Sequence, residues 1–175
     1  MEIKDEIKVL ISEEEIQKRI DEIAKQIYAD YEGRDLTFIC ILKGSIFFTV
    51  ELSKRMKNDI NFEFIRVSSY RGENSTGKIE LKVDLQGDIT GKDVIVIEDI
   101  VDTGRTLTYL KEYLKTKNPK SVKIATLLDK KERRVCEMEA DYVGFEIPDK
   151  FVLGYGLDVD EKYRNLPYIG YFDNV

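Results

Sequence analysis

The segment Val94-Ile95-Val96-Ile97-Glu98-Asp99-Ile100-Val101-Asp102-Thr103-Gly104-Arg105-Thr106 sets the fold class of this chain. Its opening run of β-branched apolar residues predicts a strand buried on both faces, as in a parallel sheet. The strand delivers adjacent carboxylates, Glu98 and Asp99, at its carboxyl end, where ligands bind in open α/β sheets. These side chains can accept hydrogen bonds from sugar hydroxyls or stand near a metal. The small, hydroxyl-rich turn that follows opens a helix carrying Leu107, Leu110 and Leu114. Such a turn offers backbone N–H groups and the positive end of a helix dipole, a ready cradle for phosphate. Thr103 and Thr106 add hydroxyl donors. The bland alternative is a plain strand–turn–helix with Asp102 or Thr103 as N-cap. That alternative needs one carboxylate, whereas Glu98, Asp99 and Asp102 supply three.

Working outward, strands and helices alternate. Ser12 and Glu15 form a capping-box pattern, and Ile16, Ile20, Ile23 and Ile27 recur at helical spacing, so residues 12–30 predict an amphipathic helix. Leu36 to Leu42 is another short apolar run, broken by Lys43-Gly44-Ser45 before a helix expected through Met56. Strands are expected over 62–67, from Ile79 to Leu85 where apolar and charged residues alternate, and over 122–128. Residues 142–155 read as extended, and a strand is expected over 168–172. This order predicts an α/β fold, a Rossmann-like parallel-sheet core with helices on both faces. One domain is expected over 1–175, its core at about 33–140, with a small hood from the N-terminal segment and 141–175.

Composition narrows the chemistry. The 175 residues contain no histidine, which removes Ser-His-Asp and Cys-His catalysis, histidine zinc sites and histidine acid–base chemistry. Carboxylates, Lys, Tyr, backbone amides or a hard metal remain. The two cysteines, Cys40 and Cys136, lie far apart and form no CxxC, so reduced thiols in a cytoplasmic protein are expected. From the mixed-charge start no secretory leader is expected, and no apolar run suits a membrane helix. Net charge is −6, from 34 acidic and 28 basic residues, which argues against nucleic acid as a partner. The densest basic run, Lys130, Lys131, Arg133 and Arg134, reads by default as a solvated turn.

Gly72 to Lys78 fits GxxxxGK, the start of a phosphate-binding P-loop, and the acidic end of the 94–99 strand could pass for its metal-binding partner. Position 79 is Ile79, where that loop requires Ser or Thr, and the residues beyond alternate like a strand where a helix is required. A nucleotide hydrolase is therefore disfavoured. Residues 68–78 read better as a loop able to close over a substrate, with a plain hairpin connection as competitor.

Several ordered motifs together resemble the phosphoribosyltransferases that use phosphoribosyl pyrophosphate (PRPP), and within them the hypoxanthine/guanine salvage enzymes. They are Glu98 to Thr106, Leu42-Lys43-Gly44-Ser45, Ser68-Ser69-Tyr70, Leu127-Leu128-Asp129-Lys130-Lys131, Val143 to Val152, Leu157-Asp158, and Tyr163-Arg164. The resemblance implies transfer of the phosphoribosyl group to hypoxanthine or guanine with Mg²⁺. It places the 5′-phosphate on Asp102, Thr103, Gly104, Arg105 and Thr106, with Asp102 also handling the purine N7 proton. Glu98 and Asp99 take the ribose and metal shell, and Asp158 a second metal and base position. Pyrophosphate falls to Lys43, Gly44, Ser69, Tyr70 and Arg164, with a non-proline cis peptide implied at Leu42-Lys43. The purine falls to Lys130, which donates to the 6-oxo group, to Phe151, which stacks, and to Val152 and Asp158. Taken alone, Phe151 reads as core, and Asp158 and Arg164 as surface charges. A homodimer or homotetramer is implied. An RNA-binding regulator on the same fold is the other-class alternative, against which Asp102 and the acidic charge count.

Overall fold

The computed structural model describes residues 6–69 and 78–173. Its centre is a six-stranded sheet. In chain order the elements are β1 (Lys8–Ile11), α1 (Glu13–Asp30), β2 (Leu36–Ile41), α2 (Ile46–Arg55), β3 (Ile60–Ser69), β4 (Ile79–Val83), β5 (Asp93–Val101), α3 (Arg105–Lys115), β6 (Ser121–Asp129), β7 (Tyr142–Glu146), β8 (Val152–Leu153) and β9 (Ile169–Tyr171). A 3-10 turn, Lys131–Arg133, follows β6. The central strands lie in the order β4-β3-β2-β5-β6-β7. All neighbours run parallel except β4, which closes antiparallel on β3.

The apolar runs fold as strands because each feeds two cores. Leu36 and Phe38 of β2, with Ile95 and Ile97 of β5, meet Ile16, Ile20, Ile23 and Ile27 of α1 and Phe48 and Leu52 of α2. The alternate residues Ile39, Ile41, Val94 and Val96 face the other way, onto Leu107, Leu110 and Leu114 of α3. Helices therefore cover both faces, as the continuous apolar runs predict. Each fully buried side chain of this kind contributes roughly 1.5–3 kcal/mol. The expected capping box starts α1: Glu15 N–H donates to Ser12 Oγ at 3.2 Å, and Ser12 N–H to Glu15 Oε2 at 2.8 Å.

The hood is a three-stranded antiparallel sheet in the order β1-β9-β8. It is built from the N-terminal segment and the last part of the chain. Its boundary differs from the expectation of 141: β7 pairs with β6 in the central sheet, and α1 packs on the core. Tyr142 is buried there, which draws residues 142–146 into the main sheet. Strand β4 ends at Val83, two residues short of Leu85, because Asp84 turns the chain by accepting from the Leu85 N–H at 2.7 Å.

The chain leaves β2 through α2 to β3 on one side, then returns to β5 on the other. The carboxyl ends of β2 and β5 thus flank a topological switch point, the usual place for a ligand crevice in such sheets.

Candidate functional site

Register brings the two strand ends together. Cys40 of β2 pairs with Ile97 of β5, so Leu42-Lys43-Gly44 and Glu98-Asp99 emerge side by side. The Leu42-Lys43 peptide is cis. Gly44 lies directly against Asp99: a Cβ added at Gly44 would fall on the Asp99 carboxylate. From the hood side Gly156, at φ +102, packs so closely that a Cβ there would fall on the Gly44 carbonyl. The backbone of 43–44 is thereby held between a carboxylate and a second loop.

Glu98 is buried at 8% exposure, and Asp99 is half-buried. The Asp99 N–H donates to Glu98 Oε1 at 3.0 Å, and the Ile100 N–H to Asp99 Oδ1 at 2.7 Å. Among the described residues no Lys or Arg pairs with either carboxylate. Burial, and then the neighbouring Asp99, holds the Glu98 carboxyl well above the ordinary carboxylate range. Burial also raises Asp99, against the pull of its hydrogen bonds and of the Arg164 charge. Two desolvated hard-oxygen donors suit Mg²⁺, which typically takes one or two protein carboxylates and completes its shell with water and substrate phosphate. Asp158 does not join them: it pairs with Arg164 Nη2 at 3.0 Å, and no group of three acidic side chains converges among the described residues.

Beyond β5 the turn 102–104 enters α3 through Gly104, whose φ is +85 and which makes no side-chain cap. The Arg105 N–H makes only a long bond of 3.4 Å to Thr103 Oγ1, so the first turn of α3 is weakly capped and suits an anion. Arg134 and Cys136 crowd the spot a Gly104 Cβ would take, so this turn needs glycine twice over. Asp102 Oδ1 is buried and has no hydrogen-bond partner among the described residues, although Arg133 Nε lies 2.8 Å away without hydrogen-bond alignment.

Arg133 and Arg134 correct the expectation of a solvated turn. Arg134 donates to the Asp102 carbonyl at 2.8 Å and pairs with the buried Asp129 carboxylate. Asp129 ends β6 beside Val101 of β5, so these arginines brace the turn after β5 from the neighbouring strand. Lys131 keeps the expected role, pairing at the surface with Glu146 at 3.1 Å.

Lys130 is buried at 7% exposure, and among the described residues its Nζ pairs only with Asp149, at the long distance of 3.6 Å. A buried ammonium so loosely paired is ready for a further acceptor. Phe151, which composition alone would send to the core, is 49% exposed. Val152 is buried in β8, opposite Tyr171.

Arg164 is no simple surface charge. Its Nη1 donates to the Gly156 carbonyl at 2.7 Å, and its Nε is buried without a partner among the described residues. Lys43 and Arg164 share Glu161, a residue that no sequence pattern marks out. Ser69 ends β3, and Tyr70 lies outside the described residues, as do residues 72–77 of the P-loop-like match. Beyond Lys78 the chain is strand β4, where a P-loop would open a helix.

A family model described as "Phosphoribosyl transferase domain" matches residues 10–160. A hypoxanthine-guanine phosphoribosyltransferase of Streptococcus thermophilus is 48% identical over 168 residues, covering 95% of this chain and 93% of that protein. One from Streptococcus pneumoniae is 51% identical over 164 residues, covering 93% of this chain and 91% of the relative. The crystal structure of a hypoxanthine-guanine phosphoribosyltransferase from Bacillus anthracis, with HEPES in its active site, superposes with a TM-score of 0.91 at 50% identity, over 95% of this chain and 99% of that one.

Proposed function

Because the chain belongs to the phosphoribosyltransferase family, we propose that it salvages purines, joining hypoxanthine or guanine to PRPP and releasing pyrophosphate and the nucleoside 5′-monophosphate. The observation that carries this reading is the convergence, at one switch point, of the Glu98–Asp99 pair, the weakly capped 102–106 turn and the Lys43-Gly44 loop.

The division of labour follows from charge. Breaking the C1′–oxygen bond of PRPP leaves positive charge on the ribose and negative charge on the departing pyrophosphate. The amides of 103–106 hold the 5′-phosphate, and that remote grip orients C1′. Glu98 and Asp99 accept from the ribose hydroxyls and offer oxygens to Mg²⁺. Held by Glu98 and Asp99, Mg²⁺ would supply charge neutralisation for the departing pyrophosphate. Lys43, the Gly44 amide and Arg164 add fixed donors there, joined by Ser69 and Tyr70. Purine N9 forms the new bond to C1′. Asp102, whose buried oxygen lacks a hydrogen-bond partner, takes the N7 proton. Lys130 donates to the 6-oxo group, which disfavours adenine, whose amino group would set donor against donor. Phe151 offers its exposed ring to the base, and Val152 reads it through the backbone. Asp158, engaged by Arg164, stands as the second metal and base-side position.

The protein also self-associates in this proposal, as a dimer or tetramer. Ile46, Phe47 and Val50 of α2 are exposed, as are Phe62 and Phe64 of β3. The register sets Phe62 beside Phe38, on the sheet face that α2 covers, so these side chains share one side of the molecule. The proposed compartment is the cytoplasm; no helix among the described residues is long and apolar enough to cross a membrane.

The test is direct. With PRPP and Mg²⁺, purified protein should form nucleotide from hypoxanthine or guanine and none from adenine, with xanthine run alongside. No nucleotide from any purine would overturn the assignment.

A further inference from the structure

Among the described residues, Glu161 alone pairs with both cations of the corner formed by the Lys43 loop and the hood. Its Oε2 lies 2.6 Å from Lys43 Nζ, and its Oε1 3.2 Å from Arg164 Nη2. Backbone geometry fixes it there. The Glu161 N–H donates to Asp158 Oδ2 at 2.9 Å, and Val159 and Lys162 exchange N–H···O bonds of 3.2 and 3.0 Å across the turn. Asp160 and Glu161 take φ of +50 and +63, a conformation that non-glycine residues adopt only where the surroundings hold them. The Lys43 ammonium, with help from Arg164, keeps the Glu161 carboxyl below its ordinary range, so it is an anion. The corner meanwhile keeps a vacancy in its hydrogen bonding: buried Arg164 Nε has no partner among the described residues. Glu161 therefore neutralises Lys43 and shares Arg164 with Asp158, whose Oδ1 lies 3.0 Å from the same Nη2, without saturating the donor set.

We propose that Glu161 is the internal counter-ion of the pyrophosphate subsite, holding Lys43 and Arg164 in the unliganded protein and yielding them to the diphosphate group. This rests on the assignment of Lys43 and Arg164 to pyrophosphate. A diphosphate brings more charge and more acceptor oxygens than one carboxylate, so it wins both cations. At 62% exposure the displaced Glu161 side chain rotates into water at little cost. Its return as product leaves keeps the cradle from gripping pyrophosphate too tightly.

The consequence has a sign that a structural role does not predict: deleting the carboxylate tightens diphosphate binding. Two exposed ion pairs of this kind correspond to about three- to tenfold in affinity. The experiment is calorimetric titration of inorganic pyrophosphate, with Mg²⁺ present, into wild type, Glu161→Gln and Lys43→Ala, alongside steady-state kinetics. Glu161→Gln should lower the pyrophosphate Kd about three- to tenfold, lower KM for PRPP and strengthen product inhibition by pyrophosphate. Glu161→Asp, which keeps the charge, should move back toward wild type. If Lys43→Ala weakens pyrophosphate binding while Glu161→Gln leaves it unchanged or weaker, the counter-ion role is wrong and the subsite stands. If Lys43→Ala leaves pyrophosphate binding unchanged, the subsite assignment itself falls.

Discussion

Strand β5 buries acidic side chains at both ends, and the two ends treat them differently. At the amino end Asp93 is 5% exposed and fully partnered: Ser121 Oγ donates at 2.6 Å, Arg34 Nη1 lies at 3.2 Å and Lys120 Nζ at 4.0 Å. At the carboxyl end Glu98 and Asp99 bond mainly to local backbone amides, and burial raises both carboxyls. A paired buried acid stabilises the fold, whereas an unpaired one costs stability and persists where a ligand completes it. The same strand thus carries a clasp at one end and a site at the other.

Substitutions should separate the two. The largest effect belongs to Asp102→Asn, which should lower turnover by about 10²–10⁴-fold while PRPP still binds. Unchanged turnover in steady-state assays would remove Asp102 from proton transfer. Asp93→Asn should reverse the pattern, costing about 1.5–3 kcal/mol in urea unfolding and leaving kcat/KM intact, because it weakens a charge-assisted bond far from the crevice.

The third prediction concerns pH. With the Glu98 carboxyl raised in the folded protein, the native state binds more protons than the unfolded chain above the ordinary value of 4.5. Stability of the unliganded protein therefore falls as pH rises from about 4.5 toward the folded pKa. Glu98→Gln should flatten its share of that slope in unfolding measured from acid to neutral pH, and an unaltered slope would mean that Glu98 is not desolvated. The smallest effect is expected of Ser121→Ala, about 1 kcal/mol lost with the hydrogen bond to Asp93, read as a lower urea midpoint.

Much of this contrast is legible before folding, and the reasons are local. Val94–Ile97 and Leu36–Leu42 declare buried strands through apolar residues broken only by Thr37, and Ser12 with Glu15 declares the start of α1. The hood strands are two to four residues long and gain their identity only by pairing across the chain, Lys8 with Tyr171 and Val152 with Tyr171. The carboxylates and the 103–106 turn stand out because their positions at a strand end follow from the same apolar runs, whereas Lys130 is marked only by the family resemblance. Arg133, Arg134 and Glu161 do not stand out, since their partners come from other strand ends and loops. A charged residue in a polar stretch carries no local mark of the distant charge it will meet. The exposure of Phe151 is equally non-local, because only the packed hood decides which aromatic rings are left over.

The central claim is that the carboxyl end of β5, and not its amino end, is completed by ligand. Calorimetric titration of PRPP with and without Mg²⁺ into wild type, Asp99→Asn and Asp93→Asn tests it most directly. The account predicts that Asp99→Asn loses the Mg²⁺-dependent gain in PRPP affinity while Asp93→Asn binds as wild type does. A full Mg²⁺-dependent gain in Asp99→Asn, or its loss in Asp93→Asn, would contradict it.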